Sequence, residues 1–99
     1  MDAAQPLYRY FHPQTHDFFY TLEAAGERAP AAGYRLQGIA GFIFAQAQGR
    51  WTKPLYRWVK SDPLMHRYTT DPAAAAAGYR LEGVRGHVVA SEHNDRMPT

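Results

Sequence analysis

The chain has 99 residues, no cysteine and a formal net charge of +2. Such a length makes one domain, near the size at which a single core outweighs chain entropy without staples, and without cysteine neither a disulfide framework nor a thiolate metal site can exist. With 45% hydrophobic and 20% charged residues the chain reads as globular and soluble; no apolar run approaches the roughly 18 residues of a membrane span, so no membrane partner is expected.

The charge is too small to imply a nucleic-acid partner by itself. The opening "MDAAQPLYRY" lacks the basic-then-apolar pattern of a signal peptide, which leaves a cytoplasmic protein or one whose export signal has been removed.

The first element is "PLYRYF", rich in aromatic residues and opening with a proline, which a strand tolerates at its first residue. The turn "HPQTHD" leads to a second strand, "FFYT", so the two predict a hairpin. In "TLEAAGERAPAAGYRL" a helical frame ends at Gly33, but Gly26 and Pro30 predict a short or kinked helix. "YRLQGIAGFIFA" follows as strand, with glycines three apart that predict a bulge or bend.

The series then begins again. "PLYRWV", the turn "KSDPLM" and "HRYT" predict a second hairpin. In "TTDPAAAAAGYRL", Thr70 or Asp71 suits a helix cap, Pro72 the first helical position and Gly78 the left-handed stop, so a short helix is expected. "YRLEGVRGHVVA" closes the series as strand, and the polar tail 92–99 is expected to fray.

Aligning 6–23 with 54–71 and 33–46 with 78–91 gives identities at 13 of 32 positions, among them Arg9/Arg57, Tyr20/Tyr68 and Tyr34/Tyr79. We read this as an internal duplication: one domain over 1–99, with repeat one at 6–46 and repeat two at 54–91. The expected fold class is α+β, mainly β, with two β-β-α-β repeats related by pseudo-two-fold symmetry and sharing one core. A short unit cannot bury its own apolar face, so each copy completes the other.

The order Tyr-Arg-aromatic, then His-Phe-Tyr-Thr, then a short helix, then Gly-aromatic and Glu-Gly resembles a tandem repeat family labelled a repeat of unknown function. That family occurs as modules on secreted bacterial and fungal proteins, including carbohydrate-active enzymes and peptidases. The resemblance implies an extracellular, appended binding or adhesion module. The family's His stands here as His66 but is Phe18 in the first copy, its Glu as Glu82 but Gln37 in the first copy, and its Glu-Arg pair as Glu27-Arg28 in the first copy alone. The family carries about three copies per domain where this chain has two, so closure of the sheet through a second chain, a homo-oligomer, is an expectation too.

In a strand, Arg9 and Arg57 lie on the face whose neighbours are aliphatic. An unpaired guanidinium there costs several kcal/mol, and Glu82 is the obvious partner for Arg57. Two readings are open: a structural ion pair that sets register, or a polar pocket of Arg57, Glu82 and His66 that holds a ligand by planar bidentate contacts. Tyr8, Tyr10, Tyr56 and Trp58 alternate with polar residues, and either form platforms on which sugar rings stack or belong to the core. His12, His16 and Asp17 have metal-compatible spacing, but Pro13 argues against a helix that would hold them together, so a solvated turn and no metal or other cofactor is expected.

The acidic residues are scattered, and no nucleophile elbow, phosphate-cradling loop or zincin motif is present, so no enzyme is expected. The leading function is a lectin-like module binding a carbohydrate or cell-wall glycan through Arg9, Tyr10, Tyr56, Arg57, Trp58, His66, Tyr68 and Glu82. The alternative is a protein-interaction or self-assembly module with its aromatic face in an interface. Interleaved Arg and Tyr would suit single-stranded nucleic acid, against which the small net charge argues.

Overall fold

A computed structural model of the chain describes residues 3–74 and 76–90. Six strands run in chain order: β1 (Gln5–Phe11), β2 (Phe18–Thr21), β3 (Arg35–Ile43), β4 (Thr52–Lys60), β5 (Met65–Thr69) and β6 (Arg80–Val89). They form two three-stranded antiparallel sheets, ordered β2-β1-β3 and β5-β4-β6. Aromatic and branched side chains carry these segments into strands, where they stack on neighbouring rungs; the hairpin rung Phe11↔Phe18 is one such pair, with rings 5.1 Å apart.

Corresponding residues hold corresponding places. Tyr8 faces Thr21 and Ile39, and Tyr56 faces Thr69 and Val84. Register slips between Leu7 and Tyr8 and between Arg9 and Tyr10, and again between Leu55 and Tyr56 and between Arg57 and Trp58. Each slip leaves one extra residue on the outer strand: Gln37 and Ala40 in β3, Glu82 and Arg85 in β6. These are β-bulges, which bend a strand and re-aim the side chains at the kink. Gly38 and Gly83 sit beside them with φ of 141° and 142°, a backbone shape that a side chain would resist.

Neither expected segment forms an α-helix among the described residues. Among the described residues there is no α-helix, only 3-10 turns at Pro30–Ala32 and Gly49–Trp51, and the fold is mainly β. The polyalanine run between Pro72 and Gly78 is too short to recover the cost of helix nucleation. Asp71 closes one turn there, accepting from the Ala73 and Ala74 amides, and a second turn closes from Tyr79 to Ala76; Ala75 itself lies outside the described residues. In the first copy Gly26 and Glu27 both take left-handed φ, 84° and 55°, which ends any helical run. The segment wraps instead around Tyr10, whose hydroxyl donates to the Ala24 carbonyl at 2.6 Å. The expected frayed tail, 92–99, lies outside the described residues.

Two apolar clusters hold the molecule. Tyr10, Phe19, Ala29 and Tyr34 fill the first half, with Tyr8 packed against them. Leu7, Ile43 and Leu55 join the halves, flanked by Tyr20, Leu22, Tyr68 and Val88. Tyr68 locks this junction: its hydroxyl accepts from the Tyr20 amide at 2.9 Å and lies 3.2 Å from the Tyr20 carbonyl, and the two rings meet edge to face. Phe44 and His87 exchange backbone bonds and tie the ends of β3 and β6.

The loops that follow the two hairpins behave differently. The loop 22–33 of the first half reaches the second sheet, whereas no hydrogen bond or ion pair joins the described residues of 70–78 to Arg9. The two loops therefore differ, while the Leu7, Ile43 and Leu55 cluster is shared by both halves.

Candidate functional site

Arg57 is the centre of the site, and it is 2% exposed. The β4 alternation points it at the junction with the first half, where all three of its nitrogens find acceptors. Nη2 and Nη1 donate to Glu27 at 2.7 and 3.1 Å, Nε donates to Glu82, and Nη1 also reaches the Tyr20 carbonyl at 3.3 Å. The guanidinium lies 4.3 Å from the centre of the Phe19 ring, a cation-π contact. Burial by itself would lower the Arg57 pKa, but the hydrogen bond and charge of Glu27 outweigh it and hold it above the ordinary value. The cation is therefore permanent.

Two backbone devices deliver its partners. Glu82 is the bulge residue that β6 turns inward beside Gly83. Glu27 comes from the first half on a left-handed residue, a conformation that costs a non-glycine about 1 kcal/mol and is held because Arg57 engages both carboxylate oxygens. Burial would raise the Glu27 pKa; bonds from Arg57 and Thr21, with the Arg57 charge, reverse that and keep it below the usual carboxylate range.

A second polar knot lies beside the first. Asp17, 3% exposed, accepts from the His66 amide at 2.9 Å and the Tyr34 hydroxyl at 2.5 Å, and its Oδ2 lies 2.7 Å from His66 Nδ1. Burial and the Asp17 bond push the Tyr34 hydroxyl above its ordinary pKa, so it stays a donor. His66 meets the Phe19 ring edge to face at 5.0 Å. Both knots thus bring a first-half carboxylate to a second-half cation or imidazole.

Arg57 with its two glutamates, and Tyr34 and His66 of the second knot, line a cleft of about 540 Å³. Glu27, Arg28, Ala29 and Ala32 face it from the loop, Val59, Leu64 and His66 from the second hairpin, and Arg80, Glu82 and Arg85 from β6.

The chain matches the model of a family described as a domain of unknown function (DUF5648), over residues 1–89. It belongs to that family. No curated protein and no solved structure matches it.

In this DUF5648 chain, three of the expected site residues, Arg57, His66 and Glu82, come together at the cleft. Arg9 and Tyr68 line a different depression, of about 760 Å³, and Arg9 is exposed with its guanidinium 5.6 Å from the Phe18 ring. Of the two readings of the aromatic strand face, platform or core, Tyr10 and Trp58 take the second. Tyr10 and Trp58 are 4% and 7% exposed, packed inward, and Tyr56 is half-buried and lines neither depression. A small sheet has no other apolar mass with which to cover that face, so the rings become core.

Sequence reasoning missed Asp17, Glu27 and Tyr34 as site residues. The turn "HPQTHD" holds no shared site: His12 Nδ1 accepts from the Gln14 and Thr15 amides, His16 stacks on Phe11, and Asp17 is given to His66 and Tyr34. A signal was present in the alignment of the copies. Asp17 stands opposite Met65, and Glu27 falls in the stretch 24–32, three residues longer than its counterpart 72–77, which has no glutamate.

Proposed function

We propose that the protein is a non-catalytic binding module whose cleft takes a sugar unit of a carbohydrate or cell-wall glycan. The observation that carries this reading is the pair of carboxylates, Glu27 and Glu82, held rigid on one buried guanidinium at the wall of the cleft. Fixed planar acceptors suit adjacent sugar hydroxyls, while Ala29, Ala32, Val59 and Leu64 supply an apolar wall for the C–H face of a ring. Arg57 acts here as an organiser, because each of its three nitrogens already donates within the protein. A volume of about 540 Å³ suits one or two sugar rings.

In this reading the two sheets are halves of one duplication that has diverged, with the first copy supplying the loop and the second the sheet of a single site. The test is a glycan and cell-wall polysaccharide panel run on the wild type beside Glu82→Gln. Binding that weakens at least about tenfold in the variant, with the fold intact by circular dichroism, supports it. A panel with no binder removes it.

A second reading, self-assembly, has its own observation. Leu36, Ile39 and Phe42 on β3 and Leu81, Val84 and Val89 on β6 are all 45% exposed or more, on the outer strands of their sheets. Exposed apolar outer strands are templates for pairing with another chain. Sedimentation across a concentration series tests this: a rising mass supports it, and a constant monomer mass removes it.

A further inference from the structure

Three arginines of the cleft are left over once Arg57 is accounted for. Glu27 and Glu82 share the one Arg57 fork, so the cleft as a whole sets four arginines against three glutamates, Glu23 among them, and keeps a formal charge of +1. Arg28 and Arg80 are exposed and form no ion pair among the described residues.

Arg85 is the most constrained of the three. It is the second bulge residue of β6, turned into the cleft by the same backbone device as Glu82. Its Nη2 reaches the Glu82 carbonyl at 3.3 Å and the Glu82 carboxylate only at 3.9 Å. Its Nε is buried and has no acceptor. The side chain as a whole is 31% exposed and lines the cleft, so an entering acceptor can pair with its guanidinium. The first sheet repeats the bulge with Ala40 in this place, so the bend does not require an arginine.

Building on the glycan reading, we propose that the cleft selects an acidic sugar, a uronate, whose carboxylate is received by Arg85 between Arg28 and Arg80 while Glu27 and Glu82 accept from its hydroxyls. A guanidinium fork matches a planar carboxylate in two parallel charge-assisted bonds, whereas a neutral hydroxymethyl group in the same position offers one oxygen and no charge. The sugar's own charge would complete a cleft that is otherwise cationic.

The test is titration calorimetry with a short oligogalacturonide, its methyl ester and inorganic phosphate. Wild type is compared with Arg85→Gln and with Arg50→Gln, an exposed arginine outside the cleft. The acid should bind, and the ester should bind at least about tenfold more weakly, as the loss of one charged hydrogen bond predicts. Arg85→Gln should bring the acid down to the level of the ester, with near-ultraviolet circular dichroism unchanged, and Arg50→Gln should bind as wild type does. Equal affinity for acid and ester overturns the uronate inference and leaves the glycan reading standing. Acid binding untouched by Arg85→Gln, or phosphate bound as tightly as the oligosaccharide, also overturns it. Failure of every glycan, neutral and acidic, removes the glycan reading itself.

Discussion

Arg9 and Arg57 occupy the same rung of two sheets with the same strand order and the same bulges, yet one lies in solvent over Phe18 and the other is buried under two carboxylates. The strand does not make this difference. What differs is the cover: Arg57 receives Glu82 from its own bulge and Glu27 from the loop of the other half, while Arg9 has Gln37 at the bulge and no such loop above it. The loop 70–78 is shorter by three residues and carries no glutamate. One motif has thus become a surface residue in one half and an electrostatic keystone in the other, and the loop between strands decided which.

The contrast is broken most directly by methionine at both positions. Arg57→Met should cost about 3 kcal/mol, since it strands Glu27 and Glu82 beside an apolar group, whereas Arg9→Met should stay within about 0.5 kcal/mol, as exposed substitutions do. Urea unfolding of the two variants measures both, and equal losses would mean that the Arg57 network contributes no more than a surface contact.

The neighbouring knot is next in size. Asp17→Asn removes the charge that holds the His66 amide and the Tyr34 hydroxyl, and should cost about 2 kcal/mol by the same assay. Its counterpart in the second half, Met65, is half-buried and takes no part in such a knot, so Met65→Leu should be close to neutral.

A smaller effect has a pH signature. Glu27 is held below its ordinary pKa of 4.5 when folded, so the unfolded chain binds its proton more readily than the folded one. Its contribution is present above the unfolded value and is lost as pH falls through the folded one. Glu27→Gln should therefore lower stability at neutral pH by about 1 kcal/mol and flatten its decline in acid. A pH series of melting temperatures shows whether the wild-type and variant curves converge at low pH. Parallel curves would place the acid sensitivity elsewhere.

Much of the framework was legible because it is local. Alternating aromatic residues after Pro6 and Pro54, the turn between each hairpin's strands, and glycines three apart at 38 and 41 and at 83 and 86 all predict strands and bulges from nearest neighbours, and they form as predicted. The helices were misread for the same local reason: Asp71, Pro72 and Gly78 are good end signals, but the interval between them is too short for a helix, and Tyr10 draws the equivalent first-copy segment into a wrap. The Arg57 to Glu82 pair was legible as well, since a guanidinium on an aliphatic face demands a carboxylate on the adjoining strand. Tyr10 and Trp58 were legible only as a choice between platform and core, because alternation tells which residues share a face and not whether that face is covered.

Side-chain alternation, glycine geometry and the cost of burying a charge are written in the order of the residues, and they are enough for the strands, the doubled pattern and the need for a partner at Arg57. That Glu27 and Asp17 of the first half complete the second, and that Arg9 is left in solvent, came from packing. Distance along the chain explains the division. Glu27 lies 30 residues from Arg57 and Asp17 lies 49 from His66, and no periodicity spans such gaps; they are closed by the packing of Leu7, Ile43 and Leu55.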